Sequence, residues 1–155
     1  MGCGKSVVGN LVAQRAGAPF RDLDLIIERV AGTTIADLFA RGGEPEFRAL
    51  ESRLLPGVLE PGAVVAVGGG APFDDGNWSL ITSKAVTVFI DCPFETMWQR
   101  TSGTSTRPLA AGRSREELET LLEQRLVRYR QAVHHVDGNR PAELVADDIL
   151  KLWSD

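Results

Sequence analysis

Apolar positions along the chain switch between a period near 3.6 residues and short unbroken runs, and that switching sets the expected architecture. Val8, Leu11, Val12 and Arg15 fall near helical spacing with Gly17 as a stop, which predicts a helix over 5–16. A short extended piece over 19–22 follows. Helices are predicted over 25–30, 35–40 and 46–59, separated by glycine breaks at Gly32 and Gly42-Gly43, with Pro45 suited to a helical first turn. The valine-rich runs 63–67 and 85–91 have the pattern of strands buried on both faces of a parallel sheet. Helices are expected over 93–101 and 115–133, a short edge strand over 134–137, and an amphipathic helix over 142–153. This order predicts an α/β fold with a mainly parallel sheet and helices on both faces.

The chain has 155 residues, 43% of them hydrophobic, enough for one domain over 1–155 and too little for two well-cored ones. No repeat or linker-like stretch interrupts it. A net charge of -4 argues against a protein that coats a nucleic acid or a membrane surface. No apolar run approaches the roughly 20 residues of a membrane span, and no basic-then-apolar leader opens the chain, so a cytoplasmic location is expected. Cys3 and Cys92 are too few and too far apart for a disulfide framework or a metal cluster, and both are expected as thiols. Fourteen of the seventeen basic residues are arginine, eight of them from Arg100 to Arg140. Solvated helix faces account for most, an anionic ligand for those placed by motif.

Gly2-Cys3-Gly4-Lys5-Ser6, running straight into the first helix, is the back half of a phosphate-binding P-loop. In such a loop backbone N–H groups surround phosphate oxygens, glycines allow close approach, the lysine reaches the outer phosphates and the hydroxyl ligates magnesium. The first glycine of G-x-x-x-x-G-K-[ST] would fall two residues upstream of Met1, together with the strand that delivers the loop, so the chain reads as clipped there. A chance Gly-Lys-Ser at a helix start is the alternative. Asp22 and Asp24, two apart at the C-terminal end of a parallel strand, project from one side into the crevice where α/β proteins bind ligands. One suits magnesium and one a substrate hydroxyl, while a helix cap would account for Asp24 and not for Asp22. Gly68-Gly69-Gly70 brings side-chain-free backbone to the same crevice, although a turn alone needs only two glycines.

With Asp22-x-Asp24 before Ile26 to Glu28, Ile35-Ala36-Asp37-Leu38-Phe39, Gly43-Glu44-x-Glu46-Phe47-Arg48-x-x-Glu51, the triple glycine, Arg107-Pro108-Leu109 and Arg128-Tyr129-Arg130 in this order, the chain resembles the shikimate kinase family. That family is a small member of the P-loop nucleoside monophosphate kinase-like group. The resemblance covers nearly the whole chain, and gluconate and adenylate kinases share the P-loop but lack the Phe-Arg-x-x-Glu and triple-glycine pair. It implies a three-layer P-loop kinase fold with the first strand absent, a substrate-binding region over about 24–60 and a lid over about 102–115. It further implies ATP-dependent phosphorylation of the 3-hydroxyl of shikimate, with ATP and Mg2+, by a monomer.

The resemblance also implies roles. Gly2, Cys3, Gly4, Lys5, Ser6 and Val7 hold the nucleotide, with Lys5 neutralising the transferring phosphoryl group. Ser6 ligates magnesium and Asp22 holds it through water. Asp24 accepts the proton of the attacking hydroxyl or orients it. Arg48 and Arg130 bind the carboxylate, a task suited to a guanidinium fork, and Glu51 on the same helix face steadies Arg48. Asp24 and the Gly69 backbone take ring hydroxyls, and Phe39 and Phe47 form apolar walls, although core packing explains the two rings equally well. Arg107 closes from the lid. Arg100 and Pro141 sandwich the adenine with Arg140 adjacent, in a loop shorter than the family's. A kinase for a related polyol acid such as quinate or gluconate, and a non-catalytic binding homologue, remain open alternatives.

Overall fold

Glycine sets both ends of the first helix. Helix α1 (Lys5–Ala16) begins after Gly4 at φ 85° and ends at Gly17 at φ 65°, left-handed conformations that carry no Cβ penalty only in glycine. The computed structural model describes residues 2–101 and 114–153. Strand β1 (Phe20–Asp22) passes directly into α2 (Leu23–Ala31). The helix starts two residues earlier than expected because the Asp22 carboxylate accepts the backbone N–H of Asp24 at 3.0 Å, so Asp22, not Asp24, is the cap. Helix α3 (Ile35–Val58) is broken at Gly43, at φ 72° and ψ -175°, where the paired glycines predicted an interruption.

After β2 (Val64–Ala66) and a short turn over Ala71–Phe73 comes α4 (Asp75–Lys84), which the apolar pattern did not predict. Local chemistry makes it: the Asp74 carboxylate accepts the Asn77 N–H at 2.8 Å, and Asn77 Nδ2 donates to Ser52 Oγ at 3.0 Å, pinning the new helix to α3. Ala85 caps α4, which delays β3 (Val88–Asp91) by three residues relative to the predicted run. Helix α5 (Phe94–Thr101) follows. Helix α6 (Arg115–Tyr129) opens on a Ser114/Glu117 capping box and stops four residues short of expectation. Strand β4 (His134–Asp137) and helix α7 (Ala142–Trp153) fall on their predicted spans.

The strands pair in parallel, Phe20 with Val64 through Asp22 with Ala66, and Val88 with His134 through Asp91 with Asp137. Among the described residues they form two two-stranded sheets, and no strand precedes α1. Adjacent residues of β2 point to opposite faces. Val64 joins a cluster of Val8 and Val12 from α1 with Val145 and Ala146 from α7, whereas Val65 packs on Leu23, Ile27, Phe47 and Leu55 of α2 and α3. Helices therefore cover both faces of the strands, a three-layer α/β arrangement whose strand ends converge on the P-loop. No helix among the described residues is long and apolar enough to cross a membrane.

Candidate functional site

The phosphate end is built by glycine. Gly2 sits at φ 66°, and a Cβ there would lie 2.8 Å from the Met97 carbonyl oxygen and 2.9 Å from Thr101 Cγ2, so the loop presses directly on the last turn of α5. Cys3 is half-buried beside it. Gly4 carries the chain into α1, whose N-terminal N–H groups and dipole suit an anion. Val7 turns its side chain to solvent, 59% exposed, and can serve a ligand only through its backbone. Ser6 Oγ donates to Asp22 Oδ2 at 2.5 Å, and Lys5 Nζ stands 3.5 Å from Asp24 Oδ2. The P-loop lysine and hydroxyl thus each meet one of the two aspartates at the end of β1. A hydroxyl and a buried carboxylate fit magnesium, a hard cation that takes few protein oxygens when phosphates supply the rest.

Helix α3 supplies the opposite end. Arg48 Nη1 donates to Glu51 Oε2 at 2.7 Å, while its Nε and Nη2 reach Glu44 Oε1 at 3.2 and 3.0 Å. The guanidinium carbon lies 4.9 Å from the Phe47 ring centroid. Burial works against the Arg48 charge, but Glu51 and Glu44 outweigh it and hold the guanidinium above its ordinary value. Glu51 is fully buried, and burial pushes its carboxyl above the usual range, the neighbouring Asp24 charge adding to the push and Arg48 opposing it. Phe39 and Phe47, with centroids 5.1 Å apart, belong to the core cluster of α2 and α3, so any wall they form lies behind Arg48.

Between the two ends runs the triple glycine. Tyr129 Oη donates to the Gly69 carbonyl at 2.5 Å, leaving the Gly69 N–H as the group to offer a ligand. The Tyr129 ring is wedged against Phe73 and Phe89, and burial raises its phenol. One helical turn before Tyr129 stands Arg125, 8% exposed, 5.6 Å from the Phe73 ring, with Nη1 lacking a partner. It acts electrostatically on both Glu51 and Tyr129. The structure brings Arg125 to this cluster in place of Arg130, which is exposed at the C-cap of α6 and, five residues on, faces about 140° away from Arg125 around the helix. The spacing Arg125-x-x-x-Tyr129 was the available signal: residues four apart share a face.

The remaining expected residues are divided. Arg107 and positions 102–113 lie outside the described residues. Ser114 and Arg115, at the end of the span expected as a lid, form the start of α6, Arg115 pairing with Glu95 at 2.5 Å. Arg100 Nη1 approaches the Gly138 carbonyl at 3.5 Å, which places this arginine against the loop before α7. Pro141 is exposed there, its carbonyl accepting the Leu144 and Val145 N–H groups, whereas the Arg140 guanidinium is held by Asp148 and Asp137 and is not free to lie over a base.

The shikimate kinase family model matches residues 1–153. The chain belongs to the shikimate kinase family. Among shikimate kinases, that of Rhizobium meliloti is 41% identical over 134 residues, 85% of this chain and 70% of the relative. That of Rhizobium leguminosarum bv. trifolii is 39% identical over 97% of this chain and 79% of the relative. The solved shikimate kinase from Acinetobacter baumannii in complex with shikimate superposes with a TM-score of 0.95 at 34% identity, covering 99% of this chain and 88% of that one. The Aquifex aeolicus shikimate kinase gives 0.87 at 33% identity, covering 99% and 92%. Shikimate kinases are phosphotransferases of the P-loop kinase fold, and the parallel strands, flanking helices and phosphate loop described above have that arrangement.

Proposed function

We propose that this chain transfers the γ-phosphoryl group of ATP to the 3-hydroxyl of shikimate, giving shikimate 3-phosphate and ADP. The observation that carries the reading is the Lys5–Asp24 pair at 3.5 Å, set between a helix N-terminus and two buried or half-buried arginines on α3 and α6. Phosphoryl transfer asks mainly for positioning and charge neutralisation. Lys5 and the α1 N-terminus take phosphate charge, with the backbone of Gly2 to Val7 as the cradle. Asp24 accepts a hydrogen bond from the acceptor hydroxyl, aligns its oxygen for attack on phosphorus, and receives the proton as the bond to ADP breaks. Ser6 and Asp22 would hold magnesium, which when bound neutralises phosphate charge. Arg48 and Arg125 bind the acceptor carboxylate, and the Gly69 N–H faces its ring. Arg107, from the family pattern, closes over the phosphates, and Arg100 and Pro141 flank the adenine.

A coupled ADP-release assay with shikimate, quinate and gluconate tests this. Turnover with shikimate well above the other two supports it, and preference for quinate or gluconate replaces the acceptor. ATP binding by calorimetry without turnover on any acceptor would leave a binding homologue. Arg107→Ala is expected to lower turnover while leaving shikimate affinity in the absence of nucleotide unchanged.

A further inference from the structure

The triple glycine has no conformational reason to be glycine. None of the three adopts a left-handed φ, and Gly70 lies at φ -97° and ψ -26°, open to any residue. At two of the positions the reason is space. A Cβ on Gly68 would sit 2.7 Å from Glu51 Oε1 and 2.8 Å from Asp24 Oδ1, so the bare Cα is wedged between two carboxylates. A Cβ on Gly70 would sit 2.3 Å from Cζ, Nη1 and Nη2 of Arg48 alike, so the guanidinium lies flat against the backbone.

We propose that Gly68 and Gly70 are two separate positioning residues, Gly68 setting where the Asp24 carboxylate stands against Lys5 and Gly70 setting where the Arg48 guanidinium is presented to the acceptor. The inference rests on the function proposed above. The turn itself cannot yield, because the Ala71 and Phe73 N–H groups bond the Gly68 and Gly70 carbonyls at 3.2 and 3.0 Å while Tyr129 holds Gly69. Glu51 cannot yield either, being fully buried with Oε2 tied to Arg48. A methyl at 68 therefore moves Asp24, whose side chain is 34% exposed, away from its place beside Lys5. A methyl at 70 lifts the Arg48 guanidinium off the backbone, against its tethers to Glu44 and Glu51.

Steady-state kinetics of the two alanine variants separate these roles. Gly68→Ala should lower kcat at least roughly tenfold with a smaller rise in the shikimate KM, because Asp24 aligns the reacting oxygen besides accepting its hydrogen bond. Gly70→Ala should raise the shikimate KM roughly tenfold with kcat little changed, because Arg48 only binds. The KM for ATP should hold in both. Gly70→Ala is also made in an Arg48→Lys background, where no planar group faces residue 70 and the substitution should add no more than about a twofold loss. The same kcat and KM pattern in both variants, unchanged kinetics, a full additive loss in the Arg48→Lys background, or failure of Gly70→Ala to fold even in that background overturns the inference. A parent chain inactive on shikimate would instead remove the proposed function, so the two failures are told apart by the parent's own turnover.

Discussion

Glu51 has one carboxylate oxygen on Arg48 and the other without a hydrogen-bond partner, in a site with no exposure. Burial favours its protonated form in the folded chain, so its contribution to stability is fully present below its ordinary value of 4.5 and is lost as pH rises through the raised one. Glu51→Gln is neutral throughout. The melting temperature of the variant relative to the parent should therefore climb as the pH rises above 4.5, and a constant difference would show that Arg48 fully compensates the charge. The arginines of α6 give a second test. Arg125→Ala should weaken shikimate binding by about 1.5–3 kcal/mol, roughly tenfold to a hundredfold, while Arg130→Ala should leave it near the parent value; isothermal titration with shikimate decides between them. Lys5, Ser6, Asp22, Asp24 and Arg48 were legible because each stands in a motif whose spacing fixes its neighbour. Arg125 was not, since in an arginine-rich helix only the packing of Tyr129 tells which face turns inward.

At the scale of elements, glycine punctuation is legible in the sequence and side-chain capping much less so. Glycines at 17, 32 and 43 mark helix ends or a break, each at positive φ. Helix α4 leaves no period in the sequence because its fully buried positions are Asn77 and Ile81, too few to make one, and its start depends on a side-chain cap. The Gly43 break matters to the site, because the second half of α3 carries Phe47, Arg48 and Glu51 away from it at a fixed angle. Gly43→Ala must place a Cβ at φ 72° and ψ -175°, an essentially glycine-only region, which should cost about 1–3 kcal/mol and lower the melting temperature by at least roughly 2–4 °C. If the strain instead straightens the helix, Arg48 shifts and the shikimate KM rises with it. A calorimetric melt alongside KM distinguishes a strained break from a relaxed one, and no change in either would deny the break any role.

For the molecule as a whole, the strand arrangement leaves sheet edges open. Strand β2 pairs only with β1, and β3 only with β4, among the described residues. Yet Val64 of β2 and Val88 and Ile90 of β3 pack on the same α1 and α7 cluster, so both pairs lie against one layer of helices. Each pair keeps a strand edge whose backbone N–H and C=O groups no described strand takes, and such groups are costly when withdrawn from water and adhesive when left in it. A P-loop is entered from a strand, and a strand leading into Gly2 would run beside α1, where β2 and β3 offer parallel edges. A version of the chain extended upstream of Met1 by a valine- and isoleucine-rich strand and a loop glycine should pair with those edges and add N–H donors to the phosphate cradle. It is expected to melt higher and to release ADP faster with shikimate than the 155-residue chain. Equal melting temperatures and equal turnover, measured side by side, would show that the two strand pairs are self-sufficient and that residues 2–7 alone shape the phosphate site.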